Sequence, residues 1–429
     1  MIINFIHDEN DSFETDNTDL IFNYNNSKHL HYTFWNSGFV PENWFSNVAI
    51  DLLYVSFSVF AADRLCKRSD AFDAWSRDIK LLIPVLENDL WIKNKSLLEE
   101  TLSFLSGDRW SIEFRPRTES CTEKHYKNKW IKKKTSPQSY DKVCMFSGGL
   151  DSFIGAIDLL ESIDKNNKIL FVSHYGGGKG TKEYQDFLIE KFCAHYGLED
   201  NNFQQFHTAV INGIEETTRT RSFMFFAHAI VLASTFKKTI PLTIPENGLI
   251  SLNIPSTFSR IGTSSTRTTH PFYMSKLQEL ITELGLNVMI NNPYQFKTKG
   301  EMILECKEQN FMKENVSNTM SCSHPDVGRN RGETHTLHCG YCLPCVIRRA
   351  ALKRSGITDN SEYYDPDCQK VAIAKINLNS YRQGLKRFDP RLSFMTIQQN
   401  GPISENIKDY SELYERGIRE LGEYIGGIK

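Results

Sequence analysis

An α/β fold built on a doubly wound parallel sheet is the class the sequence predicts, and three observations predict it. A short apolar strand beginning at Val143 runs into the turn Ser147-Gly148-Gly149-Leu150-Asp151-Ser152, then into a helix carrying Phe153, Ile154, Ala156, Ile157, Leu159 and Leu160. Beyond it, strand-like and helix-like segments alternate for about 230 residues, the pattern of a parallel sheet with crossover helices. A second strand, Lys168–His174, ends in the glycine-rich turn Tyr175–Gly180. Both turns therefore fall at carboxyl ends of strands, where ligands sit in such sheets.

A chain of 429 residues has room for two or three domains. Residues 1–120 read as an N-terminal α+β domain. Ile2–Ile6, Leu20–Asn23 and His29–Phe34 alternate like a strand meander, and Asn47–Arg64 is helical with a broad apolar face. The strand Ile79–Val85, a helix near Leu97–Leu105 and the strand Trp110–Phe114 complete it. Trp35, Trp44, Trp75 and Trp91 read as core or interface. Residues 121–140 read as a basic linker; its Lys124–Lys134 stretch fits a nucleic-acid contact less well than a solvated connection. Residues 141–368 hold the doubly wound unit, continuing with a helix at Lys182–Tyr196, a strand at Phe203–Val210, a helix at Ser222–Thr235 and a strand at Ile240–Ile244. Residues 369–429 form a helical C-terminal segment in which Tyr410, Leu413, Tyr414, Ile418, Leu421 and Ile425 make a packing face.

Net charge is −2 and pI about 6.6, so there is no global basic field and any nucleic-acid contact must be local. The N-terminus lacks a basic signal region and the longest apolar run, Val55–Ala62, is closed by Asp63 and Arg64. A cytoplasmic protein without membrane contact is expected. Of the ten cysteines, Cys66, Cys121, Cys144, Cys193, Cys306 and Cys368 are isolated, whereas Cys322, Cys339, Cys342 and Cys345 form a group. In a chain without an export signal that group points to metal before disulfide.

The glycines at 148 and 149 let backbone approach a bulky anion, and Ser147, Asp151 and Ser152 crowd a helix start that favours phosphate. No Gly-Lys-Ser/Thr follows, so this is not a Walker loop. Ser-Gly-Gly-x-Asp-Ser resembles the PP-loop of the ATP pyrophosphatases, which cleave ATP to AMP and pyrophosphate while adenylating a substrate. The resemblance implies an adenine-nucleotide α-hydrolase-like fold, with Ser147, Gly148, Gly149, Leu150, Asp151 and Ser152 holding ATP. Asp151 is then a candidate for Mg2+ or helix-start duty. Lys179 and Arg221 are candidates for the phosphates, and Ser147 and Ser152 lack a partner that would make them nucleophiles.

Cys322, Cys339, Cys342 and Cys345 follow the pattern Cys-x16-Cys-x2-Cys-x2-Cys. Four thiolates suit a closed, structural Zn2+ site, with His324, His335 or His338 as minor substitutes and an iron–sulfur cluster as the chemical rival. A PP-loop followed by this pattern resembles the 7-cyano-7-deazaguanine synthase (QueC-like) family, over roughly residues 140–355. Those enzymes turn 7-carboxy-7-deazaguanine, ammonia and ATP into a nitrile beside a structural zinc. His174-Tyr175-Gly176 resembles the family's Tyr-Gly-Gln segment, with Gly177 in place of glutamine, so those residues are expected to border the nucleotide. Lys299-Gly300-Glu301 resembles its Thr-Lys-Xaa-Glu helix start. The family's Arg-Asn pair is replaced by Arg221-Ser222, and its Asp-Cys-Arg segment by Pro245-Glu246-Asn247-Gly248 and a hydroxyl-rich run, Pro255–Pro271, carrying Arg260, Arg267 and His270. That run reads as a surface loop or as a substrate lid. The expected activity is an ATP-dependent C–N ligase giving an amide or nitrile. Long versions resemble proteins of bacterial anti-phage defence, which implies a partner protein as a possible amine acceptor. A tRNA-modifying sulfurtransferase and a non-enzymatic ATP-binding zinc scaffold are the alternatives.

Overall fold

The computed structural model describes residues 1–7, 18–133, 139–164, 167–176, 179–216, 219–254 and 267–428. In chain order, β1 (Ile2–Ile6), β2 (Leu20–Asn23) and β3 (Leu30–Tyr32) precede the long helix α1 (Asn47–Leu65). Then come β4 (Asp78–Val85), α2 (Asn88–Ser106), β5 (Arg109–Pro116) and α3 (Cys121–Lys132). The expected meander is corrected here. β1 and β2 run parallel, and with β4 and β5 they make a four-stranded parallel sheet in the order β2-β1-β4-β5. The continuous apolar run of β4, Leu81-Leu82-Ile83-Pro84-Val85, is buried throughout, as befits a parallel strand covered on both faces.

The larger sheet is built from β6 (Lys142–Met145), β7 (Ile169–Tyr175), β8 (Phe203–Val210), β9 (Ile240–Thr243) and β10 (Val288–Asn291). The helices between them are α4 (Leu150–Ser162), α5 (Lys179–Tyr196), α6 (Arg221–Ala233), α7 (Gly248–Leu252) and α8 (Pro271–Glu283). The order is β10-β9-β6-β7-β8-β3, parallel except for β3, which comes from the N-terminal region and pairs antiparallel with β8. Successive side chains of a strand point to opposite faces. Val143 and Met145 accordingly enter one core with α1, α6 and α8, whereas Cys144 and Phe146 enter another with α4 and α5. This is the two-sided covering the alternation predicts.

The N-terminal region is not an appendage of this sheet. α1 is buried without a break from Ala49 to Asp63, apolar all round rather than on one face. It lies between the small sheet and α6, and one hydrophobic core runs through all three. The basic stretch after β5 opens as a capped helix, because Ser120 and Glu123 form a capping box at the start of α3. The chain ends in α9 (Lys299–Glu305), α10 (Gln309–Asn315), α11 (Leu343–Arg354), α12 (Ala372–Arg387), α13 (Ser393–Thr396) and α14 (Ile407–Ile425). Leu413, Tyr414, Leu421 and Ile425 of α14 pack into a core with α11 and α12, so the C-terminal helix is the packing element its periodicity suggested. Among the described residues no helix is long and apolar enough to cross a membrane.

Candidate functional site

The strand order reverses between β6 and β9, and in open parallel sheets the crevice outside the carboxyl ends at such a reversal receives ligands. The Ser147–Ser152 turn stands at that point. Gly148 has φ +83°, a left-handed conformation natural to glycine, and a Cβ there would approach Gln185 Cγ to 3.0 Å. The turn is held from inside: Ser152 Oγ accepts from Ser147 N–H at 3.2 Å, and Ser147 Oγ accepts from Gly149 N–H at 3.3 Å. Asp151 and Ser152 lie in the first turn of α4, whose N–H groups have no intrahelical acceptor; that of Leu150 is taken by Ser321 Oγ at 3.2 Å. Gly155 lets α4 press against the end of β9, since a Cβ would fall 2.4 Å from Pro245.

Asp151 does not reach into open solvent. Its Oδ1 lies 3.0 Å from Lys299 Nζ, both side chains being buried, and its Oδ2 accepts from Asn247 Nδ2 at 2.7 Å and Asn247 N–H at 3.3 Å. Burial alone would raise the Asp151 carboxyl, but Lys299, Glu246 and Asn247 together hold it below the usual carboxylate range. Glu246 goes the other way. Burial, then the charge of Asp151, pushes it well above that range. The Asp151–Lys299 pair and a second acid whose pKa is raised thus meet at the crevice floor.

The turn and the end of β7 are tied by Gln185, fully buried on α5, which donates to Ser147 C=O at 3.0 Å and His174 C=O at 3.1 Å. His174 is itself buried and neutral, its pKa driven well down by burial, then by His228 and Arg221. Tyr175 stacks on His207 with ring centres 5.1 Å apart, and Gly176 faces open space. Arg221 begins α6. It is solvent-accessible, yet its surroundings are dense enough to lower its pKa by desolvation, a combination that fits a side chain lining a crevice. Among the described residues it has no hydrogen-bond or ion-pair partner. Lys179 is described only as the backbone start of α5, and Gly177, Gly178 and the Pro255–Thr266 part of the hydroxyl-rich run lie outside the described residues.

The start of α6 is fixed by the N-terminal region. Asp63, at the end of α1, accepts through Oδ2 from Arg219 N–H at 2.7 Å, Thr220 N–H at 2.8 Å and Thr220 Oγ1 at 2.8 Å. Its Oδ1 meets Arg77 at 2.5 Å, and Arg77 and Arg68 both pair with buried Asp108. Asp63→Ala is expected to cost about 3–5 kcal/mol, because it breaks a buried charge network and uncaps the helix carrying Arg221. Urea unfolding checks it, and a loss under about 1 kcal/mol would mean the network repacks without Asp63.

The four sulfurs of Cys322, Cys339, Cys342 and Cys345 lie within 4.8 Å of one another. Cys322–Cys342 and Cys339–Cys345 are each 3.9 Å apart, close to the edge of about 3.8 Å that a tetrahedron with zinc–sulfur bonds of ~2.3 Å requires. Backbone N–H groups of His324 and Cys339 point at Cys322 Sγ, both at 3.2 Å, which stabilises thiolate charge. The donor set therefore fits zinc without help from histidine. His324 and His335 are exposed, whereas buried His338 stands 3.8 Å from Cys345 Sγ as a neighbour of the cluster. The segment leading into the cluster also holds the Ser147–Ser152 turn: Met320 N–H donates to Gly148 C=O at 2.8 Å, and Ser321 Oγ accepts from Leu150 N–H at 3.2 Å. Arg348, fully buried on α11, grips the same segment through Val316 C=O at 2.7 Å.

Of the residues proposed from sequence, the structure ties the Ser147–Ser152 turn to the end of β7 at His174 through Gln185, sets Arg221 at the start of α6 with its charge acting on His174, and draws the four cysteines into one cluster. The site residues expected from sequence did not include Gln185, Glu246, Asn247 or Lys299, although the segments holding the last three were singled out in the family comparison. Lys299 had a signal, since Thr298 and Glu301 form the capping box that places it at the start of α9. Gln185 had none.

No family model matches the chain. Two curated 7-cyano-7-deazaguanine synthases are similar to a short stretch of it. The protein from Rhizobium etli is 41% identical over 46 residues, and that from Rhizobium leguminosarum bv. trifolii 44% identical over 46 residues. The stretch is 11% of this chain and 20% of either relative, so the match spans about a fifth of their length.

Proposed function

We propose that this chain is an ATP-using enzyme of the PP-loop type that activates the carboxylate of a 7-deazaguanine-like acid and transfers its acyl group to an amine. The observation that carries the reading is the glycine turn at the sheet's reversal point, with a helix start, an unpaired arginine and a buried Asp–Lys pair around one crevice. The short similarity to deazaguanine synthases supports the choice of acid.

A carboxylate cannot expel oxide. Attack of its oxygen on the α-phosphorus of ATP forms a C–O–P bond and releases pyrophosphate; an amine then forms the C–N bond, releasing AMP and a proton. Such catalysis is positioning and charge stabilisation. Magnesium, when bound to the polyphosphate, supplies further neutralisation. The first-turn N–H groups of α4 and the guanidinium of Arg221 are the chain's own donors for phosphate oxygens. Asp151 is turned toward Lys299 and fixes the floor. Glu246, its pKa raised by burial and by Asp151, carries less negative charge toward an approaching anion than a free carboxylate would.

The test is pyrophosphate release with ATP and 7-carboxy-7-deazaguanine, followed by mass spectrometry of the product and of any co-purifying protein. One pyrophosphate per amide is expected, or two per nitrile, since a second ATP must adenylate the amide oxygen before it leaves as AMP with loss of two N–H protons; Arg221→Ala is expected to be slower by about 10²-fold or more. Release that persists unchanged in Ser147→Ala and Asp151→Ala would remove the turn from the chemistry. Product that appears only with tRNA would favour sulfur transfer.

A further inference from the structure

A second site lies at the opposite pole of the larger sheet. α6 starts with Arg221 at the crevice, and Leu232, near its other end, lies about 16 Å further along the helix axis at ~1.5 Å per residue. There the basic helix α3 meets the segment between β3 and α1. Tyr126 and Trp130 share one face of α3, with Lys129 and Lys133 at the same helical spacing beside them. Trp35 stacks on Tyr126 at 5.6 Å and on Trp44 at 6.0 Å, and Trp130 tilts against Trp44 at 5.9 Å. These rings, with Lys129 and Lys133, line a cavity of about 180 Å³. Trp35 and Trp130 spend their indole N–H groups on Tyr54 Oη and Pro41 C=O, but the buried Nε1 of Trp44 has no partner among the described residues.

The charge around this cavity is one-sided. Lys124, Lys129, Lys132 and Lys133 are exposed and form no ion pair among the described residues. The nearby acids are taken: Glu119 by Lys127, Glu123 by Arg117 and Glu42 by Lys237. A cationic rim repels the ammonium ligands that aromatic cages otherwise collect, and it attracts phosphate.

We propose that this pocket docks single-stranded nucleic acid, one unpaired base entering among the rings while neighbouring phosphates follow the lysines of α3. Base stacking on aromatics beside a basic track is the general solution to binding single strands. A twelve-residue helix is about 18 Å long, so the track outreaches a single nucleotide. A duplex keeps its base faces covered and cannot enter. With a net charge of −2 the rest of the surface does not hold nucleic acid for it, so binding depends on this local patch.

The experiment titrates a labelled thymidylate oligonucleotide with the full chain, following anisotropy and tryptophan fluorescence at several salt concentrations. Saturable binding with tryptophan quenching is expected. Lys129→Glu with Lys133→Glu weakens it at least about tenfold and lowers the salt slope by about 1.4, at ~0.7 per phosphate contact on single strands. Both lysines are exposed, and circular dichroism shows whether the double variant keeps its fold. Trp130→Ala is expected to weaken binding about tenfold. Thymidine monophosphate binding as tightly as the oligonucleotide would overturn the proposal in favour of a free nucleotide. Absence of binding, or binding that survives the double charge reversal, would overturn it outright.

Discussion

Replacing Lys299 by methionine is expected to destabilise the chain by about 3–5 kcal/mol at neutral pH, and by much less in acid. Methionine fills nearly the same space, so packing is kept and the change is one of charge. Lys299 is 5% exposed and Asp151 5% exposed, so removing the ammonium leaves a buried carboxylate with only the Asn247 donors. In the native chain Lys299 helps hold the Asp151 carboxyl below its ordinary range. A depressed carboxyl contributes stability that is present above the unfolded pKa of ~3.9 and fades as pH falls through the folded value. In the variant burial is opposed only by the hydrogen bonds from Asn247 and Glu246, so the carboxyl rises, and the penalty is full at neutral pH and shrinks as acid supplies a proton. Urea unfolding at pH 7 and near pH 4 reads the difference. Asp151→Asn on top of Lys299→Met is expected to recover most of the loss. Equal losses at both pH values, with no recovery in the double variant, would mean the pair is not what stabilises the crevice floor.

The regions flanking the sheet brace the two cations of the crevice in the same way. Asp63, from the N-terminal region, caps the start of α6 beside Arg221. Glu420, from α14, accepts from Thr298 Oγ1 at 2.8 Å and Gly300 N–H at 3.2 Å, and so caps the start of α9 around Lys299. Both acids are buried, and both receive an arginine as well, Arg77 on Asp63 and Arg354 on Glu420. Arg221 and Lys299 therefore depend on parts of the chain that lie outside the larger sheet. A shortened chain lacking either flank loses a helix cap at the crevice as well as packing area.

How much of this was legible follows from the range of each interaction. The Ser147–Ser152 turn and the four cysteines are local patterns whose chemistry is readable from spacing, and the structure keeps both compact. The alternation after Lys142 gave the parallel sheet for the same reason. The floor of the crevice was not legible, because Asp151, Glu246 and Lys299 meet only once β6 and β9 become neighbours. Leu20–Asn23 is too short for its alternation to distinguish parallel from antiparallel pairing, and the meander reading failed there. The broad apolar face expected of α1 proves to be burial on every side, for its serines and Asp63 are buried too. Ser56 and Ser58 bond back to Leu53 and Tyr54 carbonyls inside the core. In α3 the lysines masked the Tyr126–Trp130 face, which becomes visible only when Trp35 and Trp44 are set against it.

Removing one sulfur, by Cys345→Ser, is expected to have the widest structural reach of any single change outside the crevice. Cys345 is fully buried in the first turn of α11. The cluster draws together sulfurs from either end of the 322–345 loop, so a bound metal would link folding of this part to its own binding. Elemental analysis of the purified chain is expected to find one zinc in the native protein and far less in the variant; iron with visible absorbance would instead identify a cluster. The second readout is local. Met320 and Ser321 hold the nucleotide-type turn through Gly148 C=O and Leu150 N–H, and Cys322 is the next residue. Hydrogen exchange is therefore expected to accelerate at residues 147–150 and 316–322 together, while β4, in the other sheet, keeps its protection. Arg348 resists this by gripping Val316 and Thr319 from α11, yet α11 itself begins between Cys342 and Cys345, so its anchor loosens with the metal. Exchange that quickens at 316–322 but leaves 147–150 unchanged would show that the metal folds its own loop and does not shape the turn.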